Sequence, residues 1–274
     1  MTRSSARPRA DSRCDFASDY EIGQSPIMLE IEQRVRGSAY GATSWTTRAQ
    51  SEATAGRLGL AAGHALLELG GGAGWPALFL ATVSGCEVVV TDIPLSGLHV
   101  ARARAGRDGL GNRCSVLAAD GAALPFADRS FDRIHHADVL CCMPRKREML
   151  LECRRVGRER ALMEFSVIAL VRKPATDVER RLVERSGPPY PDAGGDYSAV
   201  LFETGWSVVE RLDVTAEFAR CMEVLLHEYG ARHDALLKLV GEEDYADRLQ
   251  RRQATRAAVA RGLLKREIFL VRRR

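Results

Sequence analysis

The sequence predicts an α/β protein with a doubly wound, mostly parallel sheet, and two features of the chain predict this class. From His64 onward, short apolar runs of strand length alternate with segments whose apolar residues recur at helical spacing. One run, "HALLEL" at 64–69, leads directly into the glycine cluster "GGGAG" at 70–74, and the apolar segment "WPALFLATV" follows. Strands that alternate with helices favour a parallel sheet that is covered by helices on both faces.

Each predicted element has its own pattern. The strands are short runs rich in branched apolar residues, and the helices carry apolar stripes, such as Phe218, Met222 and Leu225 within residues 216–240. The predicted strands span 64–69, 86–92, 113–120, part of 131–140, 160–170, 206–214 and 263–272. The predicted helices span 16–36 with a break near Pro26, 48–60, 75–83, 94–106, 145–156, 175–186, 216–240 and 243–261.

These elements divide the chain into three parts. Residues 1–15 lack apolar periodicity, which predicts a disordered tail. Residues 16–60 form a predicted N-terminal helical cap. Residues 61–274 form the sheet domain, with helical insertions at about 172–204 and 216–261.

Composition limits the class of protein. The net charge is +4, and nearly all of the 40 basic residues are arginines spread along the whole chain, which does not predict a nucleic-acid surface. No apolar run reaches the length of about 20 residues that spans a bilayer, and no signal peptide is recognisable. The seven cysteines are scattered, without a CxxC pair or a metal-ligand spacing. A cytoplasmic protein with reduced thiols, without membrane, nucleic-acid or metal partners, is expected.

The glycine cluster predicts a site for a nucleotide-like cofactor. Glycine between a strand and a helix lets a ligand approach the backbone, and the start of the helix offers free N–H groups. Gly72, Gly74 and Ala77 fit the dinucleotide pattern G-x-G-x-x-A, which is typical of nicotinamide and flavin enzymes. Asp92 ends the next strand, where an acid accepts ribose hydroxyl protons in either kind of site.

The pattern Glu68-x-Gly70-x-Gly72-x-Gly74 resembles the first motif of class I S-adenosylmethionine (SAM) methyltransferases of the small-molecule, methyltransferase-11-like type. "DG" at 120–121 and "LPFADRSFDRI" at 124–134 resemble that family's later motifs, and the likeness extends from about residue 40 to the C-terminus. The resemblance implies a Rossmann-like, seven-stranded sheet whose last strand is antiparallel, with SAM as cofactor and S-adenosylhomocysteine (SAH) as product. The cofactor-binding residues that it implies are Tyr40, Glu68, Gly70, Gly72, Gly74, Asp92, Ile93, Asp120, Gly121 and Ala137.

Two side chains at the end of the fourth predicted strand are candidates for catalysis. His136 and Asp138 lie two residues apart, so they share one face of an extended strand. His136 is a candidate general base for a hydroxyl acceptor, because its ordinary pKa of about 6.5 lies near working pH. Asp138 is expected to orient the ring or to bind a polar group of the acceptor. Many members of the family carry a histidine where Cys142 stands, so the family's usual base is absent.

The acceptor pocket is expected to form from the additions to the sheet. Aromatic and long apolar side chains of the cap and the insertions are candidates for its walls, although Tyr40 and Trp45 would equally serve to pack the cap on the core. The prediction is a monomeric or homodimeric methyltransferase that acts on a hydroxyl or amine of a small molecule in natural-product biosynthesis. The alternatives are an NAD(P)-dependent oxidoreductase and a SAM-fold protein that does not methylate. The predicted substrate-binding residues are Trp45, Tyr190, Tyr197 and Met222.

Overall fold

The computed structural model describes residues 16–274, so the predicted disordered tail at 1–15 lies outside the described residues. Seven strands form one sheet in the order β3-β2-β1-β4-β5-β7-β6. The first five strands are parallel, and β7 pairs antiparallel with both β5 and β6. This arrangement confirms the predicted fold class. The strands are β1 (Ala65–Leu69), β2 (Glu87–Asp92), β3 (Cys114–Ala118), β4 (Phe131–Ala137), β5 (Gly157–Leu170), β6 (Trp206–Asp213) and β7 (Leu264–Arg273).

Helices cover both faces of the sheet, and two of them cover the end of the sheet where the glycine cluster lies. The predicted break near Pro26 is confirmed, because proline favours the first turn of a new helix and α2 begins there. Among residues 16–274, no helix is both long and apolar enough to cross a membrane. The helices are α1 (Phe16–Gly23), α2 (Pro26–Arg36), α3 (Arg48–Arg57), α4 (Ala77–Ser84), α5 (Leu95–Arg107), α6 (Lys146–Val156), α7 (Asp177–Arg185), α8 (Tyr197–Glu203), α9 (Thr215–Ala231), α10 (His233–Val240) and α11 (Glu242–Ala260).

Two elements differ from the sequence prediction. The single helix predicted over 216–240 is two helices, because Arg232 leaves the helical backbone conformation with φ −117° and ψ 22°. Helix α8 lies within the predicted insertion at about 172–204, where the sequence predicts only the helix at 175–186. The Asp196 side chain accepts from the Ser198 amide at 2.8 Å and starts this helix.

The core lies in two apolar layers, one on each face of the sheet. The larger layer joins β4, β5 and β7 to helices α6, α8, α9 and α11. The smaller joins β1 and β2 to α4 and α5. Helices α1 and α2 pack on α5 and α9, so they lie across the end of the sheet where the glycine turn emerges.

Candidate active site

Three glycines shape the turn between β1 and α4. Gly70, Gly72 and Gly74 have φ values of 63°, 47° and 98°, in the left-handed region that other residues rarely adopt. A Cβ on Gly70 would lie 2.5 Å from a methyl carbon of Val139, so the available space also favours glycine. The turn lies where the strand order reverses between β1 and β4, which is where cofactors bind in open α/β sheets.

Asp92 at the end of β2 fixes this turn. Its Oδ2 accepts from the Gly72 amide at 2.8 Å, and its Oδ1 accepts from the Ile93 amide at 2.7 Å. Burial raises the pKa of the Asp92 carboxyl, although these hydrogen bonds oppose the rise. The Ile93 side chain is 68% exposed, which leaves an apolar surface beside the carboxylate. Asp92 and Ile93, two of the predicted cofactor-binding residues, therefore lie together at one corner of the predicted cofactor site.

Tyr20 of α1 completes the corner, and the sequence prediction missed it. Its hydroxyl donates to Asp92 Oδ2 at 3.0 Å, and its ring is buried over the turn. A Cβ on Gly72 would lie 2.3 Å from the Tyr20 ring, and a Cβ on Gly97 would lie 2.7 Å from it. Burial and the nearby carboxylate raise the pKa of Tyr20 well above 10, so the phenol keeps the proton that it donates. No local pattern in the sequence marks this contact.

The next strand supplies the second acid of the corner. Asp120 follows β3, and its Oδ1 accepts from the Ala122 amide at 2.9 Å, while Oδ2 forms an ion pair with Arg145. The Asp120 side chain is 37% exposed, so a ligand can reach it. Gly121 lies against Met149 of α6, and a Cβ on Gly121 would lie 3.4 Å from the Met149 Cγ and Sδ atoms.

Glu68 lies beneath the turn and not at its surface. Its fully buried carboxylate contacts His135 Nδ1 at 2.8 and 3.0 Å, and its side chain would meet a Cβ on Gly71 at 2.8 Å. Burial lowers the pKa of His135, but the Glu68 carboxylate outweighs burial and the net shift is upward. The predicted direct contact of Glu68 with the cofactor does not fit this placement. Glu68 supports the turn from below.

Comparisons with known proteins decide the identity of this corner. A family model for the methyltransferase domain matches residues 67–164. The methyltransferase GfsG of Streptomyces halstedii is 32% identical over 194 residues, which are 69% of this chain and 68% of that protein. The chain belongs to the class I SAM-dependent methyltransferases.

Two further comparisons agree. The 27-O-demethylrifamycin SV methyltransferase of Amycolatopsis mediterranei is 33% identical over 62% of this methyltransferase and 63% of its own length. The phosphoethanolamine N-methyltransferase 2 of Haemonchus contortus, solved with SAM, has a TM-score of 0.76 at 15% identity, over 95% of this chain and 60% of that one. The cofactor of the methyltransferase is SAM. The glycine turn and the carboxylates of Asp92 and Asp120 are groups that could hold it.

The end of β4 in the methyltransferase carries a buried charged network. Ala137 is the last strand residue and is nearly buried. The Asp138 carboxylate accepts from Arg266 at 2.9 and 3.1 Å, from the Ser166 hydroxyl at 3.1 Å and from the Trp45 amide at 2.9 Å. Arg266 is fully buried. Asp138 therefore binds the cap and β7 to the end of β4.

The structure does not bring His136 and Asp138 together. Asp138 has φ 57°, so the alternation of an extended strand ends at Ala137 and the two side chains do not share a face. The expectation that Asp138 orients the His136 ring is wrong, because other protein groups take both carboxylate oxygens. The protein groups around Asp138 therefore satisfy its carboxylate.

His136 lies in the apolar layer next to Phe165, with ring centroids 4.7 Å apart. It is fully buried, and neither ring nitrogen has a hydrogen-bond partner within the described part of the chain. Burial, with a smaller effect of His135, lowers the pKa of His136 well below 6.5. The imidazole is therefore neutral at neutral pH and a weaker base than an exposed histidine, so the expectation of an ordinary pKa near working pH does not hold for it.

Tyr40 and Trp45 of the cap have different surroundings. The Tyr40 ring lies 5.0 Å from that of Trp75, and the Arg104 guanidinium lies 4.2 Å from its centroid. Tyr40 therefore packs the cap on α5, the alternative that the sequence left open. Trp45 packs edge-on against Phe218 at 5.0 Å and is nearly buried.

The remaining predicted acceptor residues lie mainly in the core. Met222 and Tyr197 are 1% and 2% exposed, and Tyr197 packs near Phe165 with a hydroxyl that has no partner among residues 16–274. Tyr190 is half-buried in the loop before α8. Its amide donates to the Cys141 carbonyl at 2.9 Å, so this loop is attached to the segment after β4.

A cavity of about 60 Å³ lies between the cap and the helices that precede β7. It has room for about four water molecules or one small functional group. Trp45 forms one wall, and Trp45 is also the residue whose amide binds Asp138 at the end of β4. Among the other lining residues are Ile31, Val35, Leu225, Tyr229 and Arg252.

Proposed function

We propose that this methyltransferase transfers a methyl group to a hydroxyl or amine of a small molecule in natural-product biosynthesis. The observation that carries the proposal is the cavity beside Trp45, between the cap and helices α9 and α11. Its walls of apolar, aromatic and charged side chains can contact one group of a small molecule. The name of the Amycolatopsis relative, a methyltransferase of 27-O-demethylrifamycin SV, supports this class of substrate.

In this proposal the side chains of the protein act mainly by binding SAM and the acceptor and aligning them with each other. SAM supplies a methyl group that is already activated on a positively charged sulfur. The protein therefore has to hold the acceptor in line and exclude water. The Asp138–Arg266 network keeps Trp45, and with it the cap, at the end of β4.

His136 is the candidate proton acceptor in this proposal. A buried ring without a hydrogen-bond partner costs about 1–3 kcal/mol, and such a group in a native protein calls for an explanation. His136 does not line the cavity beside Trp45, so the surrounding side chains would have to move for a hydroxyl of the acceptor to reach the ring. The hydroxyl would then provide the missing partner and donate its proton to the neutral ring as the new bond forms. A neutral amine acceptor needs no such base.

The experiment is incubation of the protein with SAM and a panel of hydroxyl and amine compounds, with SAH release as the readout. Release that depends on one class of acceptor supports the proposal, and absence of release with every compound contradicts it. His136→Phe keeps the contact with Phe165 but removes both nitrogens. Turnover of a hydroxyl acceptor is expected to fall by about 10²–10⁴-fold in this variant, while SAM affinity and turnover of an amine acceptor stay near the wild-type values.

A further inference from the structure

The cavity beside Trp45 contains a guanidinium that no carboxylate of residues 16–274 contacts directly. Arg252 of α11 has no hydrogen-bond or ion-pair partner among residues 16–274, and its Nε is shielded from solvent. Its guanidinium carbon lies 5.2 Å from the centroid of the Trp45 ring. One of its terminal nitrogens lies 3.8 Å from the position of a Cβ on Gly187, so the group lies between the cap and the loop that follows α7.

The neighbouring arginines, by contrast, are already paired. Arg248 forms an ion pair with Asp19 at 2.8 Å. Arg36 donates to the carbonyls of Ser44 and Ala42 at 2.7 and 2.8 Å. Only Arg252 among these three lacks such a partner within the described residues.

Charge around the cavity leaves one positive charge in excess. The two carboxylates of its lining are also satisfied, since Glu32 accepts from the Ser38 hydroxyl at 2.7 Å and from the Gly41 amide at 2.6 Å. A half-buried, unpaired charge is unfavourable, and an anion that enters the cavity would remove that cost. The charged residues that line the cavity are Arg36, Arg248, Arg252, Asp19 and Glu32.

We propose that the methyl acceptor carries a carboxylate and that Arg252 binds it in this cavity. The guanidinium has a planar pair of donors that matches a carboxylate. One excess positive charge balances the single negative charge of a carboxylate. It does not balance a phosphate monoester, which carries about 1.5–2 negative charges at neutral pH. Since Trp45 extends from Arg252 to the end of β4, the carboxylate orients the acceptor with its reacting group toward the cofactor corner. This inference rests on the proposed function.

The test uses matched pairs of small molecules and the full-length protein saturated with SAH. Each pair is a carboxylic acid and its primary amide with the same hydroxyl or amino group, such as 4-hydroxybenzoate and 4-hydroxybenzamide. Saturation-transfer NMR and calorimetry measure binding at millimolar concentration. The acids are expected to bind the wild type about 10–100-fold more tightly than their amides, the range of one charged hydrogen-bonded pair.

Two variants of α11 distinguish binding of the acid at Arg252 from non-specific attraction of the acid by positive charge. Arg252→Gln is expected to abolish the preference for acids, and Arg256→Gln, on the exposed side of the same helix, is expected to keep it. Equal binding of acids and amides by the wild type, no binding of either, or an unchanged preference in Arg252→Gln overturns the inference. SAH release with a neutral acceptor only would overturn it while leaving the proposed function intact. Inorganic phosphate that displaces the acids less well than acetate supports the choice of a carboxylate, and the reverse order contradicts it.

Discussion

Replacement of Asp138 by asparagine tests whether the Asp138 carboxylate stabilises the folded protein. Arg266 is fully buried and donates to Asp138, Gln50, Thr46 and Ser166 at distances from 2.8 to 3.1 Å. Asp138→Asn removes the only carboxylate in this set, and the new amide brings a second donor toward the guanidinium. Arg266 then becomes a buried charge without a counter-ion.

Breaking a buried pair in this way costs about 3–5 kcal/mol. The whole free energy of unfolding of a typical protein is about 5–15 kcal/mol, so the variant is expected to lose a large part of its stability. Equilibrium unfolding in urea, followed by tryptophan fluorescence and circular dichroism, measures the loss. The double variant Asp138→Asn with Arg266→Met should recover part of it, because it removes both charges.

An exposed ion pair provides the matched control. Glu159 pairs with Arg129 where the two side chains are 75% and 60% exposed, so Glu159→Gln should change stability by less than about 1 kcal/mol. A loss of similar size in Asp138→Asn, with no recovery in the double variant, would refute the structural role of Asp138.

Four further results are expected. Asp92→Ala should weaken SAM binding by about tenfold or more in calorimetry, because charge-assisted hydrogen bonds are lost; unchanged affinity would contradict the assignment of the corner. Tyr20→Phe should strengthen SAM binding by roughly three- to tenfold, because the tyrosine hydroxyl and a ribose hydroxyl compete for the same carboxylate oxygen; weaker binding would show that Tyr20 cooperates with the cofactor. The folded-state pKa of His136 is lowered, so its contribution to the free energy of unfolding is highest above the unfolded pKa of about 6.5 and falls as the pH drops below it. The folded-state pKa of His135 is raised, so its contribution to the free energy of unfolding is present below about pH 6.5 and is lost as the pH rises through the folded pKa. His136→Phe should therefore flatten the acidic side of a stability–pH curve and His135→Gln the alkaline side, and curves parallel to the wild type would refute both signs. Hydrogen exchange in residues 37–47 should slow when SAH binds, and equal exchange with and without SAH would make this segment a static element.

Local sequence determined the sheet and the cofactor corner. The strand–glycine–helix order of residues 64–84 fixes a turn whose positive φ values and close contacts require glycine. Asp92 follows from the same local pattern, because an acid at the end of the second parallel strand lies beside the turn at the end of the first. These features depend on neighbours in the chain or on the register of adjacent strands, so pattern alone predicts them.

Tertiary structure alone decided what the other side chains do. Tyr20 meets Asp92 across 72 residues, and Arg266 meets Asp138 across 128. Neither pairing has a local signal. The first depends on which helix packs over the turn, and the second depends on which strands β7 pairs with in the sheet. The alternation that predicted a shared face for His136 and Asp138 failed at a single left-handed residue. Arg252 shows the same physical reason, since sequence alone does not reveal that this charged helix residue packs against Trp45 with a buried Nε that has no partner among residues 16–274.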